Sequence, residues 1–220
     1  MSFLKLRELM EQGYKAENER AYIEAIEAIE NKEDQLLACE YFTAHGFLIR
    51  ERVGRDISLP IFQDLRLDES KIKSLDNVVF PDGLEVLYLN YNQIQNIDNV
   101  VFPDSLKYLY LRCNQIQSLE GAVFPDSLKI LDLDNNQIQT LQGIVFHEGM
   151  EKLSLSYNKI QTLEGVVLPE GLNSLYLAHN QIQSLEGAVF PKGLERLHLN
   201  SNQIQNLDGV VFPEGCKVIL

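Results

Sequence analysis

The chain has 220 residues, with 19 Lys plus Arg against 32 Asp plus Glu, for a formal net charge of −13. Phosphate backbones and anionic membranes require a basic patch, so this balance excludes a nucleic-acid partner and a membrane-surface role. A content of 45% hydrophobic and 23% charged residues is that of an ordinary globular chain, long enough for one large domain or two small ones.

Residues 1–56 predict helices. Phe3, Leu6, Leu9 and Met10 have helical spacing; Tyr22, Ile26 and Ile29 mark a second helix, and Leu36, Leu37, Cys39, Tyr41 and Phe42 a third. Gly46 and Gly54 punctuate the passage to a different pattern. One reading is an N-terminal α-helical cap that covers the first strand edge and apolar end of the adjoining domain; the other is a docking segment with its own partner. The first residues meet a charge every two or three positions, so they lack the apolar core of a secretory signal. No apolar run approaches 18 residues, so membrane insertion is not expected, and no Asn-x-Ser/Thr acceptor occurs. These features predict a cytosolic protein, or one exported without a cleaved leader. Cys39, Cys113 and Cys216 lie far apart with no CxxC pair, and read as small buried hydrophobes rather than a disulfide or zinc framework.

From residue 62 the chain repeats. Asn92, Asn114, Asn136, Asn158, Asn180 and Asn202 recur every 22 residues, each followed two positions later by Ile94, Ile116, Ile138, Ile160, Ile182 or Ile204. Before each stands L-x-x-L-x-L, from Leu84, Leu87 and Leu89 to Leu194, Leu197 and Leu199, with Met150 once replacing the first leucine. A degenerate copy runs Phe62, Leu65, Leu67, Ser70, Ile72, Leu75. The L-x-L segment predicts a short parallel strand whose leucines point inward. Asparagine carries a donor and an acceptor, so at the turn after the strand it can satisfy buried backbone groups, and stacked asparagines form a ladder. The return half carries Phe80, Phe102, Phe124, Phe146, Leu168, Phe190 and Phe212, usually followed by proline. These predict a second stacked spine on the convex side. Gly121, Gly143, Gly165, Gly187 and Gly209, with Asn77 and Asn99 in the same column, predict positive φ. His147 replaces proline once and reads as an exposed turn residue.

The pattern L-x-x-L-x-L-x-x-N-x-I resembles the leucine-rich repeat, in seven copies over about 70% of the chain. The implied fold is an α/β leucine-rich-repeat solenoid: a parallel concave sheet of seven 22-residue repeats over residues 57–220, with the helical cap at residues 1–56. Proline-containing short repeats behind a helical segment resemble leucine-rich-repeat effectors of intracellular bacterial pathogens, the Legionella type among them, and also look like repeats of protists and their viruses. The resemblance implies a protein that acts in a host cytosol by binding another protein. Some relatives carry a ubiquitin-ligase domain with a C-x-D nucleophile. Here the cysteines read Cys39-Glu40-Tyr41, Cys113-Asn114-Gln115 and Cys216-Lys217-Val218, so that activity does not carry over. The L-P…L pattern of an F-box is absent from residues 1–56.

Variation concentrates in four columns flanking the strand leucines, while Gln recurs through the rest of each repeat. Six of the nine tyrosines fall in these columns. Candidate protein-binding residues are Tyr88, Tyr91, Tyr108, Tyr110, Arg112, Asp132, Asp134, Lys152, Tyr157, Tyr176, His179, Arg196 and His198. Tyrosine and arginine give contact area at little entropic cost, which suits a concave docking face. Asp132 and Asp134 beside Arg112 and Lys152 read equally as a solvated ion-pair group. Catalysis is not expected: His179 and His198 lack a third metal ligand, and Ser154, Asp132 and His198 share a column in which His198 stands at least two strands from the other two. No cofactor is implied. The expected partner is another protein, such as an enzyme to be occluded or a co-secreted effector; the alternative is an adaptor whose N-terminal helices recruit machinery such as a ubiquitin ligase. The acidity is spread along the chain, −4 over residues 1–60 and −9 over 61–220, so it predicts no acidic tail.

Overall fold

A computed structural model describes residues 63–76, 78, 80 and 83–220. The helical cap expected over 1–56 lies outside the described residues, as do Phe62, Asn77 and Pro81.

The L-x-L segments form three-residue strands: β1 (Asp64–Arg66), β2 (Val86–Tyr88), β3 (Tyr108–Tyr110), β4 (Ile130–Asp132), β5 (Lys152–Ser154), β6 (Ser174–Tyr176) and β7 (Arg196–His198). An eighth, β8 (Lys217–Ile219), comes after the seven expected repeats. All eight lie in one parallel sheet in chain order. From β1 to β7 each residue pairs with the one 22 positions later, as Leu65 with Leu87 and Leu87 with Leu109. β8 pairs at an offset of 21, Arg196 with Lys217.

Period-2 alternation points the central leucine of each strand inward, and Leu87, Leu109, Leu131, Leu153, Leu175 and Leu197 are all 0% exposed. Full burial of each such side chain contributes about 1.5–3 kcal/mol. The strands stop after three residues because the chain soon turns through the left-handed region. Tyr91, Cys113, Asn135, Tyr157, His179 and Ser201 all have φ between 54° and 59°.

The next residue, asparagine, makes the expected ladder. Asn114 accepts the Ile94 N–H at 3.0 Å and donates to the carbonyls of Leu89 at 2.9 Å and Leu111 at 3.0 Å. One amide thus ties its own strand to the previous rung and satisfies backbone groups the turn leaves inside the core. Asn92, Asn136, Asn158, Asn180 and Asn202 repeat the arrangement. In the first copy Ser70 only reaches the Asp68 carbonyl, at 3.2 Å.

The phenylalanines stack along the opposite side, with centroids 5.9 Å apart for Phe80 and Phe102, and 6.3 Å for Phe102 with Phe124 and for Phe124 with Phe146. Leu168 interrupts the spine, which resumes at Phe190 and Phe212, 5.7 Å apart. On the sheet side the Tyr88 and Tyr110 rings stand 4.9 Å apart. The wider step on the return side curves the solenoid, with the sheet concave. The glycine column takes positive φ as expected, 71° to 78° from Gly121 to Gly209, with Asn99 at 57°. Ile204, Leu207, Val210 and Phe212 stay only half-buried because their rung is covered from one side. Among the described residues no helix is long and apolar enough to cross a membrane.

Candidate protein-docking face

The outward residues of the strands line up across the sheet because every rung is in register. One row reads Arg66, Tyr88, Tyr110, Asp132, Ser154, Tyr176, His198. At its start the Arg66 guanidinium lies 4.1 Å from the Tyr88 ring centre, and Tyr88 stacks on Tyr110 at 4.9 Å and 7°. This is a cation on two parallel rings, each contact adding to the area buried. Tyr176 meets His198 edge-on at 4.7 Å, and the Lys152 ammonium sits 5.0 Å from the Tyr176 ring. The neighbouring row carries Tyr108, Ile130, Lys152, Ser174 and Arg196.

Between the two aromatic groups the face dips. Ser154 and Ser156 are small and buried there, at 3% and 8% exposure, and Ser174 and Ala178, at 3% and 9%, flank Tyr176 along its own segment. A tyrosine cluster, a small-residue saddle and a second aromatic wall form a relief that a globular partner can match.

Tyr91, Tyr157 and His179 lie beyond the strand ends, on the left-handed turns. Tyr157 stacks on His179 at 4.2 Å and 10°, and Tyr91 and Tyr157 are each about half exposed, at 53% and 51%. They form a rim to the concave face rather than its floor. Non-glycine residues in the left-handed region cost about 1–2 kcal/mol each, a cost concentrated at functional sites in many folds.

Asp132 and Asp134 make no ion pair with Arg112 or Lys152. The Asp132 carboxylate accepts the Asp134 N–H at 3.0 Å, and Asp134 accepts the Ser156 N–H at 2.7 Å. Asp68 and Asn90 use their oxygens as Asp134 does, on the N–H groups of Asn90 and Arg112. Burial, then the nearby Asp132 charge, push the Asp134 carboxyl up to about 6, against the opposing pull of the Ser156 N–H, Arg112 and Lys152. Burial also raises the Tyr110 hydroxyl, helped by Tyr88, Asp132 and Tyr108. Burial lowers His198, with Lys217 and Arg196 adding to the effect, which favours its neutral form.

The register brings Tyr88, Tyr108, Tyr110 and Arg112 together on β2 and β3 and the turn after β3, and Lys152, Tyr176, Arg196 and His198 across β5 to β7. It separates Ser154 from His198 by the intervening Tyr176 strand. Sequence reasoning missed Arg66 because its repeat is degenerate; Leu65 and Leu67 around it were the signal that places it in the Tyr88 row. His147, expected as an exposed turn residue, has Nε2 3.5 Å from Asp126 and accepts the Gly149 N–H at 3.3 Å.

The solenoid is a shape shared with known proteins. It is similar to YopM from Yersinia enterocolitica WA-314, with a TM-score of 0.56 and 28% identity over 68% of this chain and 30% of that chain. The chain therefore spans 30% of the length of YopM. A Shigella effector LRR domain matches with a TM-score of 0.51 and 21% identity, over 71% of this chain and 80% of that chain. Internalin C2 from Listeria monocytogenes matches with a TM-score of 0.51 and 19% identity, over 71% and 79%. The last two likenesses establish the fold alone. No curated protein matches the sequence. The leucine rich repeat family model matches residues 104–148, 126–168 and 170–213, and a two-copy model of leucine rich repeats matches residues 82–123. With these matches running from residue 82 to residue 213, the chain belongs to the leucine-rich-repeat family.

Proposed function

We propose that this chain is the protein-binding part of a secreted bacterial effector and that its concave face docks on a globular protein of the host cytosol, such as an enzyme whose active site the curved sheet covers. The observation that carries this is the organised row from Arg66 through Tyr88 and Tyr110 to Tyr176 and His198, set among otherwise uniform repeats. Tyr88, Tyr110 and Tyr176 are the anchors, with Arg112, Asp132, Asp134 and Arg196 setting register. Rungs about 4.8 Å apart give the face a length of roughly 30 Å, enough for a standard interface of about 800 Å² on this side. The likeness to YopM at 28% identity supports a bacterial protein of this kind.

The test compares the chain with its Tyr88→Ala/Tyr110→Ala variant. Proteins retained from a host-cell lysate are identified and their affinities measured by titration. Each alanine is expected to weaken binding by about 2 kcal/mol, as for a buried aromatic anchor, while thermal unfolding shifts by a few degrees at most. A partner held by the double variant at unchanged affinity removes this face as the site.

A further inference from the structure

The return side of the solenoid carries a second ordered row. Val101, Val123, Val145, Val167, Val189 and Val211 stand one per repeat, between 70% and 82% exposed. They make up six of the nine exposed large hydrophobics among the described residues. The residues on either side of each valine are buried or half-buried, so the valine alone turns outward, as Val123 does between Ala122 and Phe124. Extended backbone favours β-branched residues, but threonine would serve that preference without exposing apolar surface. Six repeats instead keep valine in water, and a continuous apolar stripe on a protein surface marks an interaction site.

Acidic rows bracket the stripe. On the upstream side each repeat places Asp98, Glu120, Glu164, Glu186 or Asp208, and on the downstream side Asp104, Asp126, Glu148, Glu170 or Glu214. Gln142 and Lys192 are the exceptions. The upstream row lies against the glycine column: a Cβ at Gly121 would stand 3.8 Å from Asp98, and one at Gly187 would stand 3.4 Å from Glu164.

We propose that this stripe is a second docking surface and that its occupant is a basic amphipathic α-helix of another protein. The helix lies along the solenoid axis, with its apolar row on the valines and Lys or Arg on both flanks facing the two acidic rows. The buried spine beside the valines repeats every 5.7 to 6.3 Å, close to the helical pitch of about 5.4 Å. Six valines at that step span roughly 30 Å, the length of a helix of about 20 residues. An extended strand would turn alternate residues into solvent and leave none beside the stripe, whereas a helix presents side chains on both flanks of its contact row. The acidic rows repel anionic lipid, which disfavours a membrane as the occupant.

The test uses the 220-residue chain and a synthetic helix of about 20 residues, leucine on one face and lysine on both flanks, with binding read by fluorescence anisotropy. One control peptide carries glutamate for lysine; another scrambles the order at fixed composition. The lysine-flanked helix is expected to bind, neither control to bind, and added salt to weaken binding. Val123→Thr/Val145→Thr/Val167→Thr keeps side-chain shape at exposed positions and is expected to weaken binding roughly tenfold or more, with unchanged circular dichroism. Glu120→Lys/Glu164→Lys/Glu186→Lys turns one flank basic and is expected to weaken binding of the lysine-flanked helix at low salt. Tyr88→Ala/Tyr110→Ala is expected to leave the affinity unchanged, which separates this surface from the concave one. Equal binding of the scrambled peptide, or full affinity in the threonine variant, overturns the proposal. Binding of the chain to phosphatidylcholine vesicles that is lost in the threonine variant overturns it in favour of lipid.

Discussion

The Oδ1 of Asp134 accepts the Ser156 N–H at 2.7 Å, and Asn90 accepts the Arg112 N–H in the same way at 2.9 Å. At these two positions the bond uses an acceptor oxygen and has no need of a charge. Asp134 carries that charge into a half-buried place beside Asp132, and its carboxyl is pushed up to about 6 from an ordinary 3.8. The folded chain therefore holds this proton more tightly than the unfolded one. Its contribution to stability is greatest in acid and falls as the pH rises from about 4 through 6. Asp134→Asn keeps the acceptor and removes the charge. At pH above 7 the variant is expected to melt a few degrees above the parent, with the gap closing as the pH is lowered to about 4. Melting curves of both proteins across that range check this, since contributions of the other carboxylates are common to the two. A constant gap would mean that Asp134 titrates normally.

At the scale of the element, the return segment puts two neighbouring side chains to opposite uses. Phe124 is buried between Phe102 and Phe146, with both centroids 6.3 Å away, whereas Val123 beside it is 70% exposed. Phe124→Ala is expected to cost about 3–5 kcal/mol, because it leaves a cavity that neighbouring rungs cannot collapse to fill. Val123→Ala is expected to change stability by about 0.5 kcal/mol or less. Urea unfolding of the two variants checks the pair. A small effect at Phe124 would mean that the spine packs loosely. The phenylalanine spine was legible from its spacing alone. The valine row was not, because Ala122, Val123 and Phe124 are all apolar and so short a run does not reveal which member faces water.

At the scale of the molecule, stability is a chain of nearest-neighbour terms, because each strand pairs with the strands beside it in the sheet, in chain order. Rungs with two neighbours should open together, while β8 and the half-buried Ile204, Leu207 and Phe212 open first. Amide exchange in β4 and β5 is expected to be at least tenfold slower than in β8, read by mass spectrometry on peptic fragments. Uniform protection would instead indicate a single cooperative unit. Rung order, core and ladder were all readable in advance, because Leu87, Asn92 and their counterparts each have one physical task and recur at one spacing. β8 was hidden by its Lys-Val-Ile sequence and its offset of 21. Tyr91, Tyr157 and His179 were legible as outward candidates, but their place on left-handed turns was hidden for another reason: these residue types, unlike glycine, do not advertise a positive φ. The constant offset from β1 to β7 also has a genetic meaning. An in-frame gain or loss of one unit rejoins every leucine, asparagine and phenylalanine to a neighbour of its own kind. Only the outward rows acquire new neighbours, so recombination within the gene can rewrite what the protein recognises without asking the fold to be invented again.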